Sequence, residues 1–288
     1  MDSNDTLGTL VIGATGFLGT ALKNQLNETS NLYTSIRHSV DFIKSSSKAL
    51  LPINDLMKFR SLRVFNCSSG RFQDFSNALE SNRGYPLRIL KKLIDLRLPI
   101  SWIQFDSYAQ YSSDNVHDWN YIKTKGDFNQ DLEKVSNAIE NFNYVQISLP
   151  HLFGENDNPE RFIPRLMSNI RDGLNFTIQS PFEIFPLLDV QDCAKEVINA
   201  DLSKTREQSM NHIFAIEPTE QVEVFDFFAS FKEFCYSSSQ LSKGETQKSI
   251  SIEKWRIEEQ PRLLPSIIKR RSRIESFYAI QNQSSDVS

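Results

Sequence analysis

The apolar positions of this chain alternate between short unbroken runs and spacings of three and four. GTLVIGATGFLGTALKNQL (8–26) opens with an apolar run at 10–12 and is punctuated by glycines at 13, 16 and 19. It then continues at helical spacing through Leu26. LYTSIR (32–37) and RVFNC (63–67) read as further strands, the latter closing in small polar residues. LRILKKLIDLRL (87–98) places Leu87, Leu90, Leu93 and Ile94 on one helical face, and ISWIQFDS (100–107) is strand-like again. An amphipathic helix is expected from about 121 to 140, followed by the strand YVQISL (144–149). Strands alternating with helices predict βαβ units and an α/β fold with a parallel, doubly wound sheet of Rossmann type.

Beyond Gly154 the pattern loosens. GENDNPERFIP (154–164) is turn-rich, DVQDCAKEVINADL (189–202) reads as a helix, and HIFAI (212–216) can return a strand to the sheet. VFDFFASFKEF (224–234) is a phenylalanine-rich helix whose rings suit a core. Residues 237–244 read as a loop, and the last dozen as a frayed end. The organisation expected is a dinucleotide-binding domain over 1–153, rejoined by 187–216. A smaller substrate-binding lobe and tail then occupy 154–186 and 217–288.

Composition narrows the function classes. The chain has 288 residues, 39% hydrophobic and 24% charged, with a net charge of −4. Such a chain suits a globular protein and offers no general attraction to nucleic acid or anionic membranes. The basic run Lys269, Arg270, Arg271, Arg273 stands without stacking residues around it and reads as a solvated face or tail. Three scattered cysteines (Cys67, Cys193, Cys235) form neither a disulfide framework nor a zinc knuckle. The four histidines are equally dispersed, so no metal is expected. The N-terminal MDSNDT is polar where a secretion signal would be basic and then apolar, and no run is long enough to span a membrane. The expectation is a soluble, cytoplasmic protein with a small-molecule substrate and neither a nucleic-acid nor a membrane partner; a homodimer is compatible with it.

Two constellations carry chemistry. Gly13, Gly16 and Gly19 follow a strand and open a helix. Glycine permits the tight turn, the close approach of backbone to a pyrophosphate and the close packing of helix on sheet. The helix then directs its unsatisfied N–H groups at the phosphates. At the end of the second strand stands Arg37, with no carboxylate before Asp41. A guanidinium there suits the 2′-phosphate of NADP, whereas NAD asks for an acid. The cofactor expected is therefore NADP(H) in preference to NAD(H).

The second constellation is Ser107, at the carboxyl end of a strand, followed by Tyr121 and Lys125 one helical turn apart. Reducing a ketone by hydride transfer requires a proton for the developing alkoxide. Tyrosine can give it once a neighbouring ammonium favours the phenolate, since an unperturbed phenol titrates near 10. A serine hydroxyl can bond to the substrate oxygen as charge builds.

VIGATGFLG, with glycines at three-residue intervals, resembles the extended short-chain dehydrogenase/reductases, which act largely on nucleotide sugars. Ser107 and Tyr111 match the family's S-x-x-x-Y, Tyr121 and Lys125 its Y-x-x-x-K, and Asn82 its Asn-headed helix. The resemblance implies cofactor contacts from Gly13, Thr15, Gly16, Phe17, Leu18, Gly19, Arg37, Asn66, Cys67, Ser68, Asn82, Tyr121 and Lys125. FDS, YIKTK, PHLFGEND and RFIP are similar to segments of CDP-abequose synthases, which reduce a 4-keto nucleotide sugar. That match implies substrate contacts from Ser107, Tyr108, His151 and Phe162.

Ser107 is followed by Tyr108 and Ala109 where the family's 4,6-dehydratases carry Asp-Glu, so water elimination lacks its acid and base. Ser148 stands where relatives often carry an arginine, and Phe185 and Pro186 where they usually carry an Arg-Asp pair. Three readings follow: an NADP(H)-dependent 4-ketoreductase, an NAD-dependent 4-epimerase, and a dinucleotide-binding scaffold or regulator without turnover.

Overall fold

The computed structural model describes residues 7–28, 33–36, 53–107, 119–172, 177–178, 184–199, 213–215, 220–223 and 251–252. Arg37, Tyr108, Tyr111, the phenylalanine-rich segment 224–234, the expected loop at 237–244 and the basic run near 269 lie outside them. The chain divides into two units, Met1–Leu149 with Val190–Ile216, and Pro150–Asp189 with Glu217–Ser288.

The first unit is built on strands β1 (Leu7–Ile12), β2 (Tyr33–Ile36), β3 (Ser61–Asn66), β4 (Ile100–Ser107), β5 (Phe142–Leu149) and β9 (Ile213–Ala215). They form one sheet in the order β2-β1-β3-β4-β5-β9, and every pairing in it is parallel. The expected doubly wound α/β architecture is the one found. From β1 the chain steps outward to β2 and then returns to β3 on β1's other side. That reversal opens a crevice at the carboxyl ends of β1 and β3, the place where such sheets bind ligands.

Helices cover the sheet because its strands are apolar on both faces, as parallel sheets require. α1 (Phe17–Glu28) packs against α7 (Val190–Asn199). The core on which α4 (Tyr85–Ile94) and α5 (Trp119–Ala138) pack joins Leu10, Ile12, Leu62, Val64 and Trp102 of the strands with Ile89, Leu90, Leu93, Phe128 and Leu132 of the helices. The Trp102 and Phe128 rings meet edge to face, centroids 5.9 Å apart. Arg63, on β3, donates to the Ile198 carbonyl at 3.2 Å, meeting a carbonyl of α7's last turn with a cation.

Between β3 and α4 lies a helical stretch that matters for the site. α3 (Phe75–Leu79) starts at Asp74, whose side chain accepts from the Asn77 N–H, and runs through a π turn at Glu80–Gly84 into α4. Such turns distort the hydrogen-bond ladder and often accompany functional sites. The short segment before β3 holds one helical turn, α2 (Ile53–Leu56).

In the second unit, β6 (His151–Phe153) pairs parallel with β8 (Ile184–Asp189), and β10 (Glu220–Glu223) pairs antiparallel with β8. Residues 151–153, grouped with the first lobe by the sequence pattern, thus belong to a separate three-stranded sheet. α6 (Phe162–Arg171) buries Ile163 and Leu166 and carries Pro164 in its first turn, where no intrahelical N–H is lost. β7 (Thr177–Ile178) and β11 (Ser251–Ile252) pair in parallel. Among the described residues no helix is long and apolar enough to cross a membrane.

Candidate active site

The glycine loop connects β1 to α1. Gly13 has φ +76°, a conformation that side chains disfavour, and a Cβ there would stand 2.9 Å from the backbone of Cys67 and Ser68. The loop after β1 therefore lies directly against the loop after β3. The Cys67 N–H donates to the Ile12 carbonyl at 2.9 Å, extending the pairing of the two strands to their tips. A Cβ on Gly19 would meet the Gly13 oxygen at 2.2 Å, so α1 can approach the loop this closely only through glycine. Gly16 is exposed, and a Cβ there would touch only the Gly13 oxygen, at 3.3 Å. Thr15 is exposed, Phe17 half-buried and Leu18 buried. An open backbone at Gly16 ahead of a twelve-residue helix fits the pyrophosphate of a dinucleotide.

A buried polar network shapes the floor at the end of β3. Asn66 donates to Gln104 Oε1 at 2.8 Å and accepts from the Ser68 N–H at 3.2 Å. Gln104 Oε1 also accepts from the Trp102 indole at 3.3 Å. Asn82, held in the π turn, clamps Gly70 from both sides, accepting from its N–H at 2.8 Å and donating to its carbonyl at 3.0 Å. Its amide also donates to Thr124 Oγ1 on α5 at 3.0 Å. One asparagine thus ties the β3 loop to the helix of Tyr121, leaving few ways for either to shift. Arg71, next along that loop, sits over the Tyr121 ring with its guanidinium carbon 5.3 Å from the centroid. Burial pushes the Cys67 thiol up, Cys193 adds to that, and Lys125 opposes it. The group stays a neutral thiol.

Tyr121 and Lys125 lie on the inner face of α5, both buried. Lys125 Nζ stands 3.4 Å from Tyr121 Oη and also donates to the Phe105 carbonyl of β4. The Asp106 carboxylate, itself buried, lies 3.6 Å from the same ammonium, and Asn129 donates to its other oxygen at 2.7 Å. Burial alone would pull Lys125 below its ordinary value. The charges of Tyr121 and Asp106 and the hydrogen bond to Tyr121 outweigh it, so the net direction is upward.

The raised value has a stability consequence with a definite sign. A lysine that binds its proton more tightly when folded contributes stability that is fully present below its unfolded value, ordinarily 10.5. The contribution is lost as pH rises through the higher folded value. Urea unfolding should show a constant difference between wild type and Lys125→Met well below 10.5, and a relative loss for the wild type above it. A difference that changes near neutrality would contradict the pairing.

Ser107 is the last residue of β4, at the carboxyl edge of the sheet. His151 opens β6 and Phe162 opens α6; both are exposed and belong to the second unit. The first unit therefore brings together the glycine loop, Asn66, Cys67, Ser68, Asn82, Tyr121 and Lys125 by a connected set of contacts. Gln104, Asp106, Thr124, Asn129 and Arg71 join that set without having been picked out in the sequence. Trp102, Gln104 and Asp106 share one face of β4 by the strand's period of two. A buried carboxylate on that face was the available signal.

The sequence profile of the NAD dependent epimerase/dehydratase family matches residues 9–207, more than half of the chain. The chain belongs to this family. Solved structures with the same fold include a UDP-N-acetylglucosamine 4-epimerase from Methanobrevibacter ruminantium M1 in complex with UDP-N-acetylmuramic acid. It is 15% identical with a TM-score of 0.64, over 95% of this chain and 98% of that one. A GDP-L-fucose synthetase from Naegleria fowleri bound to NADP is 14% identical with a TM-score of 0.60, over 86% and 85%. A UDP-glucuronic acid 4-epimerase from Bacillus cereus in complex with NAD is 16% identical with a TM-score of 0.62, over 85% and 89%. No curated protein sequence matches the chain. The family is one of NAD-dependent epimerases and dehydratases, and the fold is shared with solved nucleotide-sugar epimerases and a GDP-L-fucose synthetase.

Proposed function

We propose that the protein catalyses NADP(H)-dependent reduction of a 4-keto nucleotide sugar, with Tyr121 as proton donor. The observation that carries the reading is the buried Tyr121–Lys125 pair, 3.4 Å apart, whose ammonium is fixed to β4. When bound, the nicotinamide supplies the hydride that the carbonyl carbon receives. The residues of the chain do the rest. Tyr121 gives its phenolic proton to the ketone oxygen, and the Lys125 ammonium stabilises the phenolate left behind. Ser107 donates a hydrogen bond to the same oxygen as charge develops there. Gly13, Thr15, Gly16, Phe17, Leu18 and Gly19 would hold the cofactor's pyrophosphate, and Asn66, Cys67, Ser68 and Asn82 would hold the rest of the dinucleotide. Lys125 would also hold the nicotinamide ribose.

Arg37 supports NADP(H) over NAD(H), because a 2′-phosphate offers its guanidinium a dianionic partner. Tyr108, His151 and Phe162 take the nucleotide-sugar side. The known ligands of the neighbouring folds, UDP-N-acetylmuramic acid among them, support that substrate class.

Fluorescence titration with both cofactors tests the preference. NADPH should bind at least about 10-fold more tightly than NADH, a difference of about 1.4 kcal/mol. Equal affinities, with interconversion of sugar 4-epimers and no net oxidation of cofactor, would replace reduction by 4-epimerisation.

A further inference from the structure

Asp106 is the acidic residue of β4, and its side chain has no exposed surface. One carboxylate oxygen is held by Asn129 at 2.7 Å. The other accepts no hydrogen bond among the described residues and faces Lys125 Nζ at 3.6 Å. A buried carboxylate with one oxygen left to an ammonium alone is costly to fold around, and hydrophobic replacements of such pairs are often neutral or better. Its geometry therefore points to work at the neighbouring amine.

We infer that Asp106 is a positioning residue: its carboxylate, anchored by Asn129, keeps the Lys125 amine charged and aimed at the Tyr121 oxygen. The inference rests on the reading of Tyr121 as proton donor. The Phe105 carbonyl also receives Lys125, but a carbonyl supplies only a partial charge, and a lone ammonium in a dry interior would lose its proton. The titratable groups facing Lys125 are Tyr121 on α5, Asp106 on β4 and Cys67 beyond β3; Tyr144 on β5 feels the field of Asp106. Burial holds the Cys67 thiol neutral, so it provides no counter-charge. Asp106 provides it, without contact with any reacting atom.

The test is Asp106→Asn in the full chain, read by carbon NMR titration of the Lys125 side chain, assigned through its loss in Lys125→Met. The Lys125 midpoint should move from above 10.5 to below it. At pH values above the new midpoint kcat should fall roughly 10²-fold, and it should recover as the pH is lowered through that midpoint. An unmoved midpoint with an unchanged pH profile overturns the inference, whether or not the wild type turns over. If Asp106→Asn does not fold, the double variant Asp106→Asn/Lys125→Met decides. Recovery of folding supports a role exerted through Lys125, and continued failure to fold overturns it. A wild type inert towards every 4-keto nucleotide sugar, with the Lys125 shift intact, overturns the reductase reading and supports the charge assignment.

Discussion

Tyr121→Phe should abolish reduction almost completely while leaving the protein folded and able to bind its cofactor. The substitution removes one oxygen and keeps the ring, which Arg71 and Lys125 approach at 5.3 and 5.1 Å. Lys125 retains the Phe105 carbonyl and the Asp106 carboxylate, so its position does not depend on the phenol. Only the proton for the developing alkoxide is lost, and a positioned proton donor is worth about 10²- to 10⁴-fold. Turnover should fall by that factor, with NADPH affinity changed no more than a few-fold. A variant that kept most of its turnover would mean that another group delivers the proton.

The second large effect is expected at Gly19. In Gly19→Ala the new methyl would stand 2.2 Å from the Gly13 oxygen and 2.9 Å from Ala14 Cα, both backbone atoms. Backbone cannot rotate out of the way, so either α1 retreats from the sheet or the loop opens. Forcing one methyl into such packing costs about 1–3 kcal/mol, and the retreat also displaces the N–H groups that face a pyrophosphate. Denaturant unfolding should show the stability loss, and fluorescence titration a loss of NADPH affinity. Gly16→Ala meets only a 3.3 Å contact and should stay close to wild type in stability. Equal stability losses at the two positions would contradict the packing account.

The parallel sheet could be read from the chain because its strands are short apolar runs between amphipathic helices. Even the late strand β9 announces itself in HIFAI and pairs with β5. The Tyr121–Lys125 contact followed from helical spacing, since residues four apart share a face. The second unit was harder. Pro186 sits inside β8, where a proline argues against a strand, and β6 is three residues long. α6 was hidden because Pro164 lies in a turn-rich stretch and reads as a breaker, although a first-turn proline is compatible with a helix.

Within the site, the missing parts were those defined by partners from elsewhere in the chain. Asp106 looks like a polar interruption of an apolar strand until Lys125 and Asn129 are placed beside it. Asn82 was picked out through the family resemblance, but its clamp on Gly70 from a π turn has no signature in the residues themselves. Arg71 is one loop arginine among many until the Asn82 clamp brings it over Tyr121.

The most direct measurement follows NADPH absorbance while purified protein is offered 4-keto-6-deoxy nucleotide sugars, with the sugar product identified by NMR. Oxidation of one NADPH for each 4-hydroxy sugar formed, lost in Tyr121→Phe, is the predicted result. Protein that binds NADPH yet oxidises none with any of these substrates would contradict the account.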